Sequence, residues 1–521
     1  MAYFCYYLPM SRQYITTAID YPNAAPHMGH VLEKVLADIM ARWFRLRGDS
    51  VRFQVGTDEH GTKIQRTAEK EGKSPQALVD QNVQLFEELY TKLHISYDNF
   101  IRTSDKQKHW PTVQALWTKL EEVQMLEKRS YTGLYCSGCE RFMAARDLED
   151  GICPNHKVAP EEVTEENFFF LMSKDTANLK KLLTSDWDGE TYRIIPSSRE
   201  KETLSLIEQG LEDVSFSRPV SSLTWGVPVP SNDNQTMYVW CDALTNYISG
   251  LGYFTDHEDR SFWDDATVTH VIGKDIARFH ALIWPSMLKH AGVRIPDQLL
   301  IHGFLTSEGE KMSKSLGNVV KPNDILEKFD GNPDPIRFFL SYEIPVGNDG
   351  DFSWDRFEKL YDAKLRNAMG NLLNRVLVLI QKEGGNIRIP DSPSDSAQSA
   401  EDWKVFSSSM DAFNLHSALA QAMKLVDVLN AAIDTTKPWS MEGEEKVVLL
   451  SRFAESLRHV ALMLLPFMPD TAKRMTEQLG VSYADRMLDK DFVITEQMQQ
   501  FGGQNDWKAV GEPSILFMPL T

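Results

Sequence analysis

Tyr14-Ile15-Thr16-Thr17-Ala18-Ile19-Asp20-Tyr21-Pro22-Asn23-Ala24-Ala25-Pro26-His27-Met28-Gly29-His30-Val31-Leu32 is the stretch on which the fold turns. Residues 14–19 alternate apolar and polar as a strand does, and the turn through Pro22, Asn23 and Pro26 delivers the chain to His27. A helix is predicted next, because Val31, Leu32, Val35, Leu36, Ile39, Met40, Trp43 and Phe44 recur at three-to-four spacing until Gly48 stops it. Residues 51–55 read as a second strand, ending at Gly56-Thr57-Asp58-Glu59-His60-Gly61. Strand, helix, strand is the unit of a doubly wound parallel sheet, an α/β fold whose ligands sit at the carboxyl ends of its strands. Two imidazoles one turn apart at the helix start can face one site. Gly29 leaves room for a nucleotide, and the helix terminus offers amide donors and a favourable dipole to phosphate. A pair of plain helix caps is the competing reading.

The 521 residues are too many for one core and imply several units of roughly 100 to 200 residues each. A hydrophobic content of 42% and a charged content of 25% are those of soluble globular chains, and no apolar run of transmembrane length or secretory leader is read. The formal charge of −19 excludes a chain that coats nucleic acid indiscriminately, though not one with a local basic groove. Five cysteines, an odd count, point to a reducing compartment, read as the cytoplasm, with thiols serving as ligands or core residues.

The pattern divides the chain into 11–124, a first half of the sheet domain; 125–218, an insert of short segments; 219–325, the second half; 326–355, a linker; and 356–521, a run of amphipathic helices. Candidate strands of the second half are 237–240, 267–272 and 299–302. Helices are expected over 354–382, 409–433 and 447–465, with the Pro/Ser/Asp stretch 390–399 as a surface loop; helices with short breaks read as a bundle. In the insert, Cys136-x2-Cys139 and Cys153-x2-His156 have the spacing of a closed tetrahedral site for one structural Zn2+, disulfides being the alternative. Downstream, Lys311-Met312-Ser313-Lys314-Ser315 is followed by Gly317, a cationic loop able to stabilise charge on a reacting phosphate. The plainer account is a solvated basic loop.

Taken together and in this order, His27-Met28-Gly29-His30 and Lys311-Met312-Ser313-Lys314-Ser315 resemble the paired signatures of class I aminoacyl-tRNA synthetases. Trp225-Gly226-Val227-Pro228-Val229-Pro230, Tyr238-Val239-Trp240-Cys241-Asp242-Ala243 and Ile272-Gly273-Lys274-Asp275-Ile276 extend the resemblance, which is closest to the methionyl-tRNA synthetase family and runs from about Arg12 to the C-terminus. It implies a Rossmann-type catalytic domain with a zinc-binding insert, followed by an all-α helical-bundle domain that binds the anticodon. The implied reaction converts L-methionine and ATP, with Mg2+, to methionyl-adenylate and pyrophosphate, then transfers methionine to the 3′ end of tRNA(Met).

The same resemblance assigns His27, His30, Lys311 and Lys314 to catalysis and adds Gly29, Gly273 and Asp275 to the ATP site. It gives the methionine side chain a pocket of Ile19, Tyr21, Trp240, Ala243, Leu244, Tyr247, Ile276 and His280, and its ammonium the carboxylate of Asp58. Aromatic neighbours suit a polarisable thioether. Asn371, Arg375 and Trp439 would read the anticodon, being chemical types that stack on and hydrogen-bond splayed bases. The sequence departs from the family at Asp20, where Pro or Tyr is more usual, and it ends at Pro519-Leu520-Thr521 without the dimerisation domain of some members, which is read as a monomer. The rivals are another class I synthetase, for leucine, isoleucine, valine or cysteine; a non-catalytic tRNA-binding relative; and a small nucleotidyltransferase. The insert is too short for the editing domain of the first three synthetases, and a nucleotidyltransferase leaves the helical region unexplained.

Overall fold

The computed structural model describes residues 11–136, 141–143, 147–154, 157–256, 259–311, 320–504, 507–510 and 512–520. Cys139, His156, Lys314 and the side chain of Lys311 lie outside the described residues. Six parallel strands form the central sheet in the order Asn99–Arg102, Ser50–Thr57, Arg12–Thr17, Thr267–Gly273, Gln298–His302 and Arg193–Ile195. Side chains alternate between the faces, as the two-residue period of a strand requires. Tyr14, Ile272, Leu299 and Ile301 enter one hydrophobic core, and Ile15, Val271 and Leu300 the other. The order reverses where Arg12–Thr17 meets Thr267–Gly273, which opens a crevice beyond the carboxyl ends of those two strands.

Segment 125–218 carries a four-stranded antiparallel sheet in the order Arg141–Met143, Leu126–Cys136, Glu161–Phe170 and Val214–Ser215. It also supplies Arg193–Ile195 to the edge of the central sheet, a strand of three residues that is too short to show a period in the sequence.

Two local expectations give way. The expected strand at 237–240 ends at Met237, and Val239–Leu244 is a short helix carrying Trp240. A four-residue apolar run has no periodicity with which to tell a buried strand from a buried helix. The stretch 390–399 is not a surface loop throughout, because a helix begins at Pro393 and runs to Asp411. Proline fits the first helical position, and Ser399, Asp402, Trp403, Phe406 and Met410 turn inward at three-to-four spacing.

Beyond Ser353 the chain is helical. Trp354–Leu360, a π-helical stretch Tyr361–Gly370 and Asn371–Lys382 follow without a break, then come Pro393–Asp411, Leu415–Thr436, Gly443–Leu464 and Pro469–Leu479. These helices share a continuous core with the helix Met28–Leu46. At the junction the buried guanidinium of Arg337 pairs with Asp38 at 2.7 Å. Its Nε donates to the carbonyl of Phe467 at 2.7 Å and its Nη2 to that of Pro466 at 3.0 Å. Trp43 and Arg47 add bonds to Asp411 at 2.8 and 2.7 Å.

Candidate active site

The helix Met28–Leu46 starts at the mouth of the crevice with a reciprocal cap. His27 Nδ1 accepts the Gly29 N–H at 3.1 Å, and His30 Nδ1 accepts the His27 N–H at 3.0 Å, with the two rings 4.0 Å apart. The cap reading of these two histidines is therefore what the structure shows. A ring nitrogen that accepts a backbone N–H carries no proton, so the ring proton sits on Nε2 and makes that atom a donor. His30 is neutral at pH 7, because burial and the nearby Lys34 ammonium bring its pKa down to about 4. A Cβ on Gly29 would lie 2.8 Å from the His27 ring, so any side chain there would displace the imidazole.

Across the switch point, Gly273 ends its strand beneath the Asp275 carboxylate, whose Oδ1 would be 2.8 Å from a Cβ at that glycine. Lys311 lies on a β-hairpin in which Leu305–Ser307 pairs with Glu310–Lys311 and, on its other side, with Gly350–Phe352. Glu308 and Gly309 make the two-residue turn with φ of 54° and 79°, the left-handed values a tight hairpin requires.

Trp240, Leu244, Tyr247, Ile276 and His280 gather in one apolar region. Phe279 joins them, stacked on Trp240 with centroids 3.7 Å apart, and is a member the sequence reading missed. His280 Nδ1 faces the Ile276 carbonyl at 3.0 Å and so holds the ring proton, and its Nε2 accepts the Tyr247 hydroxyl at 2.6 Å. Burial takes the His280 pKa down to about 4, which keeps it neutral. The hydroxyl of Tyr247 and both ring nitrogens of His280 are thus partnered within this region. Ala243 is buried on the same helix as Trp240. Ile19 packs over Gly56, where a Cβ would meet its Cγ2 at 3.0 Å. Tyr21 donates to the His60 carbonyl at 2.9 Å, and Asp58 is buried at the end of its strand, its N–H bonded to the Asp20 carbonyl at 2.8 Å.

The departure at Asp20 has a partner. Lys34, fully buried, donates to Asp20 at 3.1 Å, to Glu33 at 2.7 Å and to the Ala18 carbonyl at 2.9 Å, while Tyr90 also donates to Asp20. Glu33 contacts His302 Nε2 at 3.2 Å; burial works against its charge, but Lys34 and His302 more than offset this and hold its pKa low. Asp20 is pushed the other way, upward, by burial. Its carboxylate is thus turned into the protein, while its neighbours Ile19 and Tyr21 make the contacts just described. The sequence signal was the charged pair Glu33-Lys34 between the apolar pairs Val31-Leu32 and Val35-Leu36 of the helix.

In the bundle, Asn371 and Arg375 lie one turn apart on one helix, and the Arg375 guanidinium sits over the Trp439 ring, 5.7 Å from its centroid. Trp439 is 50% exposed, unusual for a residue of its size, and Arg375 also pairs with Asp434 at 2.7 Å. In the insert, a turn at Glu149–Ile152 presents Cys153, which is buried with Cys136 and Met143 in a small cluster against which Leu148 packs. Among the described residues no group of three or more potential ligands gathers, the other two members of the expected set being outside them. No helix among the described residues is long and apolar enough to cross a membrane.

Paired imidazoles at a helix start, at the switch point of a doubly wound parallel sheet joined to a run of helices, are the arrangement that the resemblance to class I aminoacyl-tRNA synthetases led one to expect. The family described as tRNA synthetases class I (M) matches residues 13–165 and 156–377. A methionine–tRNA ligase of Caldanaerobacter subterraneus subsp. tengcongensis is 40% identical over 97% of this chain and 78% of its own length. That of Rickettsia conorii is 35% identical over 97% and 98%. The structure of Mycobacterium tuberculosis methionyl-tRNA synthetase in complex with methionyl-adenylate superimposes with a TM-score of 0.87 at 33% identity, covering 98% of this chain and all of that one. The chain belongs to the methionyl-tRNA synthetase family, whose reaction is the ATP-dependent ligation of methionine to tRNA.

Proposed function

We propose that the residues above divide the two steps of this reaction as follows. A carboxylate oxygen of L-methionine attacks the α-phosphorus of MgATP, the bond to the β-phosphate oxygen breaks, and pyrophosphate leaves. The terminal ribose hydroxyl of tRNA(Met) then attacks the methionyl carbonyl and AMP leaves. His27 and His30 donate from Nε2 to the phosphate oxygens, and Lys311 and Lys314 neutralise charge that grows there; positioning and electrostatics suffice without a covalent enzyme intermediate. Gly29, Gly273 and Asp275 seat the nucleotide. The carboxylate of Asp58 takes the methionine ammonium, and Ile19, Tyr21, Trp240, Ala243, Leu244, Tyr247, Ile276 and His280 take the thioether.

The observation that carries this reading is the reciprocal cap at His27 and His30, whose Nδ1 atoms accept backbone N–H groups and so leave the ring proton on Nε2. Amino-acid-dependent ATP–pyrophosphate exchange tests it: methionine alone among methionine, leucine, isoleucine, valine and cysteine should support exchange. Preference for another amino acid would overturn the pocket, and no exchange at all would overturn the chemistry.

Asn371, Arg375 and Trp439 read the anticodon in this scheme, and the exposed indole under a guanidinium supports it. Trp439→Ala should leave exchange intact while tRNA charging falls by roughly ten- to hundredfold, the loss of one to three kcal/mol of base stacking. Unchanged charging would remove Trp439 from the anticodon site.

The unit boundaries read from the sequence, a monomeric state and a cytoplasmic location belong to the same proposal. So does one structural zinc, held by Cys136, Cys139, Cys153 and His156. Two cysteines buried together in a cluster of four residues fit that group, because so small a core stabilises little unaided. When bound, the metal would cross-link the tip of the insert. Elemental analysis should find about one zinc per chain, and Cys153→Ser should lose it and lower the melting temperature. A metal-free wild-type protein with the same melting temperature would exclude the site.

A further inference from the structure

Asp242 lies on the short helix that carries Trp240 and Ala243, yet its side chain turns away from them to bridge two histidines. Its Oδ2 is 2.5 Å from His60 Nδ1 and its Oδ1 is 2.6 Å from His109 Nε2. The three side chains are 0%, 1% and 0% exposed. His109 Nδ1 is engaged by Ser249 at 2.7 Å. His60 differs: its Nε2 is buried with no hydrogen-bond partner among the described residues, and the ring packs against those of Trp225 and Trp110, with centroids 5.2 and 6.0 Å away. Asp242 is therefore the one polar hold on the His60 ring among the described residues.

His60 stands two residues after Asp58, in a loop whose carbonyls are also gripped from the pocket side. Tyr21 donates to the carbonyl of His60 and Trp225 to that of Glu59. We propose that Asp242 is a positioning residue, which locks the loop bearing Asp58 to the helix bearing Trp240, Ala243 and Leu244 and so sets the distance between the ammonium subsite and the thioether subsite. The inference rests on the reading of Asp58 as the ammonium ligand. It gives the pocket a ruler: an amino acid is accepted when its ammonium and its side-chain terminus meet both elements at once. A two-point contact is sensitive to small displacements, since a misplacement of about 1 Å can cost roughly a hundredfold in rate.

A double-mutant cycle in the exchange assay tests this, with the full-length, zinc-loaded enzyme. Asp242→Asn should lower kcat/KM for methionine by roughly ten- to hundredfold while KM for ATP stays within about twofold. Added to Asp58→Asn, it should cost less than about twofold more, because the locked carboxylate is already gone. His60→Asn, whose side-chain amide can replace the Nδ1 donor, should keep most of the activity, and His60→Ala should match Asp242→Asn. These two variants carry the test if Asp242→Asn does not fold.

Losses that multiply in the double variant, or that fall equally on ATP and methionine, would overturn the positioning role. An equal loss in His60→Asn and His60→Ala would do the same. If Asp58→Asn alone leaves methionine use unchanged, the ammonium reading itself fails, a result distinct from the others.

Discussion

Replacing His30 by alanine is expected to lower methionine-dependent pyrophosphate exchange by roughly a hundred- to a thousandfold, the size typical of losing one preorganised donor to a reacting oxyanion, with little change in KM for methionine. The variant also removes a helix cap, and a cap is worth about 1 kcal/mol of stability. His30→Asn separates the two roles. Its side-chain oxygen can accept the His27 N–H in place of Nδ1, but nothing then stands where Nε2 stood. If the donor matters, the asparagine variant is as slow as the alanine one despite a restored melting temperature. An active asparagine variant would reduce the histidine to a cap. Because His30 has a pKa of about 4, its protonation does not shape the rate between pH 6 and 8, and a histidine-like limb in that range would have to come from another group.

The second large effect concerns stability. Lys34→Met should destabilise the protein by about 3–5 kcal/mol, the usual consequence of removing one partner from a buried ion pair, because Asp20 and Glu33 would remain buried without their cation. Asp20→Asn combined with Lys34→Met should recover a large part of the loss, since Glu33 keeps His302. Urea unfolding of the wild type, Asp20→Asn, Lys34→Met and the double variant measures the coupling. A single-variant loss of less than about 1 kcal/mol, the size of an exposed pair, would mean that the network is solvated and that Lys34 does not compensate the aspartate.

How far the sequence led varies with length scale. The strand and helix around His27 were legible because their periods persist over many residues, and each strand expected at 14–19, 51–55, 267–272 and 299–302 is present within two residues at its ends. The helix at Val239–Leu244 and the strand Arg193–Ile195 were not legible, being too short to repeat their period twice. Pro393–Asp411 was missed because its first residues are Pro, Ser and Asp, which serve loops and helix starts equally well. The methionine-pocket residues were named through family resemblance, not through chemistry, since alone they look like core. Phe279, Lys34 and the Asp242 bridge escaped altogether. Each acts through a partner more than thirty residues away or in another element, and only the folded chain brings such pairs together.

The bond between Asp38 and Arg337 fixes more than a joint. The helix Met28–Leu46 has 19 residues and, at 1.5 Å per residue, is about 28 Å long, with the imidazoles at one end and the bundle against the other. Asp38, where the guanidinium holds the rod, lies about 15 Å along it from Met28, so a tilt of roughly 2° about that point swings the imidazole end by about 0.5 Å, which is the tolerance a preorganised site allows. The buried guanidinium, tied at once to the helix and to the bundle carbonyls of Pro466 and Phe467, therefore sets an angular tolerance of that order on the whole molecule. A residue near the middle of the helix thus governs how accurately its first turn is placed.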